Sequence, residues 1–585
     1  MMTTLTNKGH FLSSDPSARQ IQSLFDMVAQ DNIATIKTIQ ERVSKCGLSL
    51  DDYRLRTMRT RLEEYKNKPI DIDAFTEIVR EELLAVKKIL SHQLVIPDWQ
   101  EFCQIILKIF NEVDSDHSGR NANYIPVLRD ADPEKWGVAL CTVSGQRYSI
   151  GDVDVYHSIQ SVSKPLSYAY ALNKEGVDFT HQFVGTEPSG SPFNDLRLMP
   201  DRRPFNPSVN AGALMVAALI ASGSPEKSAR DLTQDIMDFW FALSGEAESV
   251  NFSQETMESE LSTAHNNFAI AYLLQGNKGL PRDVELNKMI ELYLSCCSIE
   301  MTSSMLSVAA ATLANGGICP ITGKQVLSAE IVKKTLAVMQ FSGMYDNAGT
   351  FLFEVGLPAK SGVAGAVMVV VPNVMGFATF SPRLDTYGNS VRGVAFCHKL
   401  VDQFTFHMYD SLSGGRTGCK FDPRESQHNQ KQRDLSDIRW ALSYGDRYAT
   451  KIYDLALTTM VDICLADGDI EDSELDVIKN VLEEIVGTKI QRSELRDFAV
   501  MRQSKALAEI VSPFDATLKN LSSEKEVLDD NGREIIFESV FHVACADGEV
   551  ESEEYDMLLK IAQALGMYVG IVDLEINRFK RKQAI

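Results

Sequence analysis

Strand-forming text occurs in two places far apart in the chain, and that separation limits the folds open to it. "WGVALCTVSGQRYSIGD" (136–152) holds a short β-branched run, a Ser-Gly turn and a second short run, the pattern of a hairpin. "FEVGLPAKSGVAGAVMVVVPNVMGFATFSP" (353–382) returns to the same character, and "SVRGVAFCHKLV" (390–401) closes it with a helix. Between them, from Ser161 to about Asn315, helical periodicity dominates. Strands on both sides of a helical block predict one α+β domain: distant segments complete a sheet, and the helices form an inserted subdomain. The window "GVAGAVMVVVPNVMGFATF" is the most apolar in the chain, but Pro372 interrupts it and it is rich in glycine and β-branched residues. It reads as two buried strands and not as a membrane span.

The text outside this body is helical. From Ala18 to about His92, Ile21, Leu24, Phe25 and Val28 share a face, as do Ile36, Ile39 and Val43, and then Phe75, Val79, Leu83, Val86 and Leu90. A polar stretch, "DSLSGGRTGCKFDPRESQHNQKQRD", has the composition of a linker. The acidic remainder contains an internal echo, "CLADGDIEDSELDVI" and "ACADGEVESEEYDML". Asp467, Gly468, Ile470 and Glu474 suit half of a calcium loop, but Ile463 and Leu465 stand where two ligands belong, and Val543 and Cys545 in the second copy. A duplicated turn between paired helices fits better. The expected organisation is an N-terminal helical bundle (1–105), an α+β body (106–410), a linker (411–445) and a C-terminal all-α domain (446–585).

Composition narrows the function classes. The 585 residues are 44% hydrophobic and 24% charged, with a net charge of −22, which suits a globular protein and disfavours nucleic acid or anionic lipid as partners. Ten cysteines without CxxC spacing suggest neither a zinc ribbon nor a disulfide framework, so no metal or cofactor is expected and a reducing, cytoplasm-like compartment is. The N-terminal text lacks the apolar centre of a signal peptide.

The chemistry centres on "QSVSKPL". Pro165 lacks an N–H and is tolerated only in the first turn of a helix, which puts Ser161 at the helix mouth and Lys164 one turn on, on the same face. A serine needs a base to become a nucleophile, and a lysine is a base only when desolvation or nearby positive charge lowers its pKa. A capping serine beside a solvated lysine fits the same four residues. A second element favours catalysis: "PAKSGVAG" (358–365) puts Lys-Ser-Gly on a predicted strand, and SxxK followed by such a strand marks the serine β-lactamase type of fold. The Ser-Asp-Asn element of penicillin-recognising enzymes is absent, so the fold can be shared while the substrate is not.

The ordered motifs "QSVSKP", "NPSVNAGAL", "SELSTAHNNFAIAY", "LANGGICPITG", "SGMYDNAGTF" and "GLPAKSGVAGAVMVVVPN" resemble the serine-dependent glutaminases. The likeness covers about Tyr124 to Phe406, and the N-terminal helical region is similar to that of the longer, kidney-type members. The resemblance implies a β-lactamase/transpeptidase-like catalytic domain that hydrolyses L-glutamine to L-glutamate and ammonia through an acyl-enzyme. It implies Ser161 as nucleophile, Lys164 as base, Tyr345 in proton transfer and Tyr293 in support of the serine and the substrate. The backbone N–H groups of Ser161 and Val363 would form the oxyanion hole. Tyr124, Gln160, Asn210, Glu260 and Asn267, with Tyr293, Tyr345 and Val363, would bind substrate, because a free amino acid asks for an acid facing its ammonium and donors facing its carboxylate. Read alone, Asn210 also suits the N-cap of "AGALMVAALIAS", Glu260 a solvated helix face and Tyr293 the core. Asp195 stands where the longer relatives carry lysine, Arg197 replaces an aromatic residue, and Leu273 replaces a second tyrosine after Tyr272, so activation by phosphate is not implied. The C-terminal part resembles the TerB-like helical domain, with its two acidic turns, for which an assembly or regulatory role is expected. Relatives form dimers and tetramers, so a homo-oligomer is implied, with the small molecule L-glutamine as the other partner.

Overall fold

The structure, a computed structural model, describes residues 21–410 apart from 23, 30, 31, 67, 91, 92, 282 and 283. Beyond 410 it describes 420, 422–424, 438, 441, 442 and most of 446–579. The expected linker falls largely outside these residues, as do the acidic turns at 466–471 and 546–549. The chain divides into two compact units, the first running to Arg424 and the second from Glu425 on, apart from residues 416–418.

The first unit opens with helices α1 (Ile36–Lys45), α2 (Arg56–Glu63), α3 (Ile72–Val79) and α4 (Leu83–Leu90) around an apolar core that includes Phe25, Leu55, Phe75 and Ile89. Two of its loops pair through their backbones: Ala34 and Ile70 exchange N–H···O bonds of 2.8 and 2.9 Å. The residue after each bridge caps a helix, Thr35 accepting from Thr38 N and Asp71 from Ala74 N, so orphan donors at both helix starts are satisfied. This bundle meets the rest of the unit at the buried amide of Gln146. Its Nε2 donates to the carbonyls of Cys46 and Ile96, and its Oε1 accepts from Ile96 N. A buried amide with both ends occupied fixes position without leaving a polar group unpaired.

α5 (Trp99–Asp114) leads to a five-stranded antiparallel sheet of β1 (Gly137–Thr142), β2 (Arg147–Gly151), and later β6 (Ala359–Ser361), β7 (Ala366–Val371) and β8 (Met375–Phe380), in the order β2-β1-β8-β7-β6. The hairpin and the late strands thus complete one sheet, as the separated strand texts require. Between them in sequence lie β3 (His157–Ser158), α6 (Ser163–Glu175), α7 (Asn210–Gly223), α8 (Ala229–Leu243), β4 (Asn251–Phe252), α9 (Gln254–Thr263), α10 (His265–Gly276), α11 (Leu286–Cys297), β5 (Ile299–Met301), α12 (Ser303–Ala314) and α13 (Ala329–Ser342). After β8, α14 (Val391–Gln403) returns to pack with α5.

The sheet is covered on both faces, and so β1, β7 and β8 are buried at every position. One face looks to α5 and α14 through Val138, Val367, Val369 and Phe377; the other looks to the helical layer through Met368, Val370 and Ala378. α12 is the helix laid directly on that second face. Its Ala309, Ala310 and Ala311 allow a close approach, and Gly376 of β8 lies so near that a Cβ there would be 2.1 Å from Ala311 N. α7, "NAGALMVAALIASG", is apolar on all sides and accordingly runs through the centre of the helical layer, buried from Asn210 to Ala221.

The second unit holds α15 (Arg447–Cys464), α16 (Asp472–Val486), α17 (Arg492–Glu509), α18 (Pro513–Glu524), α19 (Asp530–Ala544) and α20 (Ser552–Ala564), with its own apolar core. Asp462, fully buried, is paired there by Arg502 and by the Thr517 hydroxyl, as a buried carboxylate requires. Among the described residues no helix is long and apolar enough to cross a membrane.

Gly376→Val should cost about 3 kcal/mol or more, because the atoms it would strike are backbone and cannot move aside. The measurement is the urea midpoint, and a midpoint within error of the wild type would show that α12 does not lie on β8 in this way.

Candidate active site

β3 ends two residues before a tight 3-10 turn, Gln160–Val162, which runs straight into α6. The small sheet β3-β5-β4 fixes this approach, with Ile159 N donating to Ile299 O at 2.8 Å. Gln160 adopts φ +49°, a left-handed conformation that costs a side-chain-bearing residue roughly 1 kcal/mol or more. Ser161 therefore emerges at the mouth of α6. It does not cap the helix: the N-cap is Val162, and no side chain caps this terminus. Pro165 sits in the first turn, where its missing N–H does no harm.

The Lys164 amine is buried inside the helical layer. It donates to Asn210 Oδ1 at 2.6 Å and to the Ser208 carbonyl at 3.2 Å. The rings of Phe193 and Tyr293 lie 5.8 and 5.9 Å from it. Burial pushes its pKa down to about 8, with Cys297 exerting a weaker opposite pull. Two acceptors take two N–H groups and leave the third position of the nitrogen for a proton or a lone pair.

Asn210 is the first residue of α7, and the capping role open to it in the sequence is not what its side chain does. Asn206 Oδ1 accepts from Ser208 N and Val209 N in the preceding turn, and α7 has no side-chain cap. The Asn210 amide instead turns inward, its oxygen toward Lys164 and its Nδ2 donating to Asn267 Oδ1 of α10 at 3.1 Å. The Tyr293 hydroxyl of α11 donates to the same oxygen at 3.4 Å. Tyr293 is buried, and burial raises its pKa well above that of an ordinary phenol.

Opposite this cluster the edge strand β6 approaches the 3-10 turn. Gly362, just past its end, is so close that a Cβ would be 2.7 Å from Ile159 O. Strand alternation turns Lys360 to the face it shares with Met368, toward the helical layer, and Ser361 to the other. Lys360 Nζ lies 4.4 Å above the centre of the Tyr345 ring and donates to Ser361 O at 2.6 Å. Its burial, and then the neighbouring Lys164, push its pKa well down.

Tyr345, at φ +53°, opens a second 3-10 turn, and its ring packs 4.8 Å from that of Phe193. Its buried hydroxyl makes no hydrogen bond of ordinary geometry among the described residues. It faces Ser161 and the Val363 N–H closely enough that both hold its pKa down against burial, which nonetheless raises it. Among the described residues no backbone carbonyl accepts from the N–H of Ser161 or of Val363.

Glu260, on α9, is buried; burial raises its pKa, while the Tyr124 hydroxyl and the Gln160 amide work the other way. Tyr124 donates to its Oε1 at 2.7 Å. Tyr124 leaves 45% of its surface open, yet its hydroxyl end is enclosed against Glu260, so the ring forms a rim and the oxygen faces inward. Among the described residues no cation pairs with Glu260, and a buried carboxylate so placed suits a positively charged group.

The structure thus brings Ser161, Lys164, Tyr345, Tyr293, Asn210, Asn267, Gln160, Glu260, Tyr124 and Val363 into one region. Sequence reasoning missed the Ser208 carbonyl and the Phe193 ring, and gave Lys360 no place above Tyr345. Only the last had a signal, the alternation of side chains along a strand. Asp195 and Arg197 lie on the stretch that carries Phe193; Arg197 donates to Ser191 Oγ at 3.1 Å and stacks on Phe205. Asn210 N donates to Phe193 O at 2.8 Å and Asn266 Nδ2 to Asn194 O at 2.7 Å, which hold this stretch against the site.

Residues 119–409 match the family model described as glutaminase, 455–570 that of the tellurite resistance protein TerB, and 20–97 that of an EF-hand domain. The paired loops at Ala34 and Ile70 agree with the last, although among the described residues no cluster of three or more His, Cys, Asp or Glu could hold a metal ion. The chain is 39% identical over 452 residues to the mitochondrial liver isoform of glutaminase from Rattus norvegicus, covering 75% of this chain and 73% of that one. It is 44% identical over 301 residues to a glutaminase of Corynebacterium glutamicum, covering 52% and 71%. Among solved structures, native Mglu matches with a TM-score of 0.50 at 38% identity, over 54% of this chain and 75% of that one. The probable glutaminase ybaS matches with a TM-score of 0.50 at 35% identity, over 53% and 98%.

Asn210→Asp would set a carboxylate against the buried amine and should raise the pKa of Lys164 by about one unit or more. The lysine Nζ resonance of 15N-labelled protein, followed through a pH titration, reads this directly.

Proposed function

This chain belongs to the glutaminase family and hydrolyses L-glutamine to L-glutamate and ammonia, and from the geometry of the site we propose that it does so through an acyl-enzyme on Ser161 with Lys164 as the base. The observation that carries this reading is the buried Lys164 amine, held by Asn210 and Ser208, one helical turn from a serine that has no capping role.

Ser161 Oγ attacks the side-chain carbonyl of glutamine while its proton passes to neutral Lys164. The charge that develops on the carbonyl oxygen is met by the N–H groups of Ser161 and Val363, assisted by the positive end of α6. Collapse of the tetrahedral species breaks the C–N bond, and the amide nitrogen leaves as ammonia with a proton relayed from Lys164 through Tyr345. Water then attacks the ester, gives its proton to the same pair, and releases glutamate and Ser161. The wall of Phe193 and Tyr293 and the burial behind it keep the lysine neutral often enough to act, about one molecule in ten at pH 7 for a pKa near 8.

Glu260 faces the α-ammonium of the substrate, with Tyr124 and Gln160 fixing the carboxylate. Asn210, Asn267 and Tyr293 supply donors for the α-carboxylate. This division predicts a preference for a free amino acid over a peptide amide, since an acylated α-nitrogen would leave Glu260 buried without a cation.

A homo-oligomer, dimer or tetramer, fits the open aromatic surfaces of Tyr272 and Phe353, and light scattering of the eluted protein reads the state. Cys46, Cys103, Cys141, Cys296, Cys297, Cys319 and Cys397 are buried free thiols, which favours a reducing compartment such as the cytoplasm.

In a coupled glutamate-release assay Ser161→Ala should lose activity by about a thousandfold or more, and Lys164→Arg by nearly as much, because a guanidinium stays protonated. A Ser161→Ala protein that released ammonia at the wild-type rate would overturn the mechanism. Because neutral Lys164 is the active form, kcat/KM should fall about tenfold per pH unit below a break near pH 8 and level off above it, as a full pH profile would show.

A further inference from the structure

Beneath the site, between α6, α7 and α11, lies a small cavity bordered by Ser167, Ala213, Ala217, Leu292 and Cys296, with Lys164 also on its wall. Its space for the centre of a water molecule is about 10 Å³, close to what a single water needs. Half of the lining is aliphatic, but Ser167, one turn beyond Lys164 on α6, is only 8% exposed and its hydroxyl makes no hydrogen bond of ordinary geometry among the described residues. That hydroxyl lies near enough to the Cys296 thiol to hold its pKa down, although burial still pushes it up to about 12. A buried hydroxyl left alone costs on the order of 1–3 kcal/mol, a penalty that a water removes if it finds two or more polar partners. Ser167 and Cys296 lie on one small surface with Lys164 beside them, and their hydroxyl and thiol can provide two such partners.

We propose that this cavity is the site of one bound water, held by Ser167, which fixes the position of the Lys164 amine from behind; Ser167 is a positioning residue for the reaction. The inference rests on the reading of Lys164 as the base. Asn210 Oδ1 and Ser208 O hold the amine from one side, and both accept, so they favour the charged form. A water in the cavity can donate as well as accept. It accepts from the N–H that Ser208 O holds at the longer distance, 3.2 Å, and donates to Ser167 Oγ, so it steadies the charged amine and leaves the third position of the nitrogen toward Ser161. The other ionisable groups about the amine are Lys360 of β6, Tyr293 and Cys297 of α11, and Tyr345, while α7 contributes none. Tyr293, Cys297 and Tyr345 are raised and Lys360 is lowered well below an ordinary lysine, which leaves Lys164 to titrate near pH 8.

The test combines a high-resolution crystal structure of the wild-type enzyme with two variants. Density for a water about 3 Å from Ser167 Oγ inside the cavity supports the proposal, and a dry cavity overturns it. Ser167→Val replaces the hydroxyl with methyl groups that fill the space. It should move the acid limb of the kcat/KM profile to lower pH by about half a unit or more, since a drier amine is more easily neutral, and lower kcat about fivefold with KM within twofold. Ser167→Thr, which keeps the hydroxyl, should retain the wild-type limb. A folded Ser167→Val enzyme with unchanged limb and kcat overturns the role; should that variant not fold, the crystal structure still decides. The presence of the water does not depend on which group is the base, whereas activity in Lys164→Arg tests that reading alone.

Discussion

Taking an amine out of water is costly unless its hydrogens find acceptors, and the helical layer of this enzyme is arranged around one such amine. Lys164 reaches into a space walled by Phe193 and Tyr293 and closed by Asn210 and the Ser208 carbonyl. Those groups come from three parts of the chain besides α6 itself, so the position of one nitrogen couples α6, the start of α7, α11 and the stretch after Gly190. The same enclosure that shifts the pKa to about 8 also limits where the nitrogen can go. Burial and orientation are two results of one packing arrangement.

The sheet side imposes a second geometric demand. β6 must lie against the turn that carries Ser161, and only a residue without Cβ tolerates the approach at Gly362. This explains in physical terms why Lys-Ser-Gly follows SxxK at such a distance: the glycine permits contact, and alternation sends Lys360 into the helical layer. Gln160 and Tyr345 both adopt left-handed backbone conformations beside the reacting groups. Strain at these two positions is held by the packing of the sheet and the helices that flank them.

Much of this was legible without coordinates. The hairpin at 137–151 and the pair β7 and β8 follow from β-branched runs broken by Ser-Gly and by Pro-Asn, and the all-apolar text of α7 foretells a central helix. Asn210 shows the limit of such reading. At a helix start the local preference is to cap, and nothing within a few residues reveals that Asn206 already satisfies the turn. Tyr293 was equally open to a core reading, and it is indeed buried; its hydroxyl has a polar partner only because α7 and α11 cross there. Phe193 and the Ser208 carbonyl carried no signal, since a backbone oxygen or an isolated aromatic residue in a loop looks the same whatever it faces.

The sequence by itself determined that a serine and a lysine share a helix face beside a proline, that a distant strand brings Lys-Ser-Gly, and that the motifs between them resemble those of glutaminases. Those facts depend on local periodicity and on residue identity, which a linear text records. Which oxygens hold the amine, how dry its surroundings are, and where Tyr345 points were decided only when segments far apart in the chain packed together. Desolvation and hydrogen-bond geometry are properties of that enclosed space, and no single segment of the chain contains it.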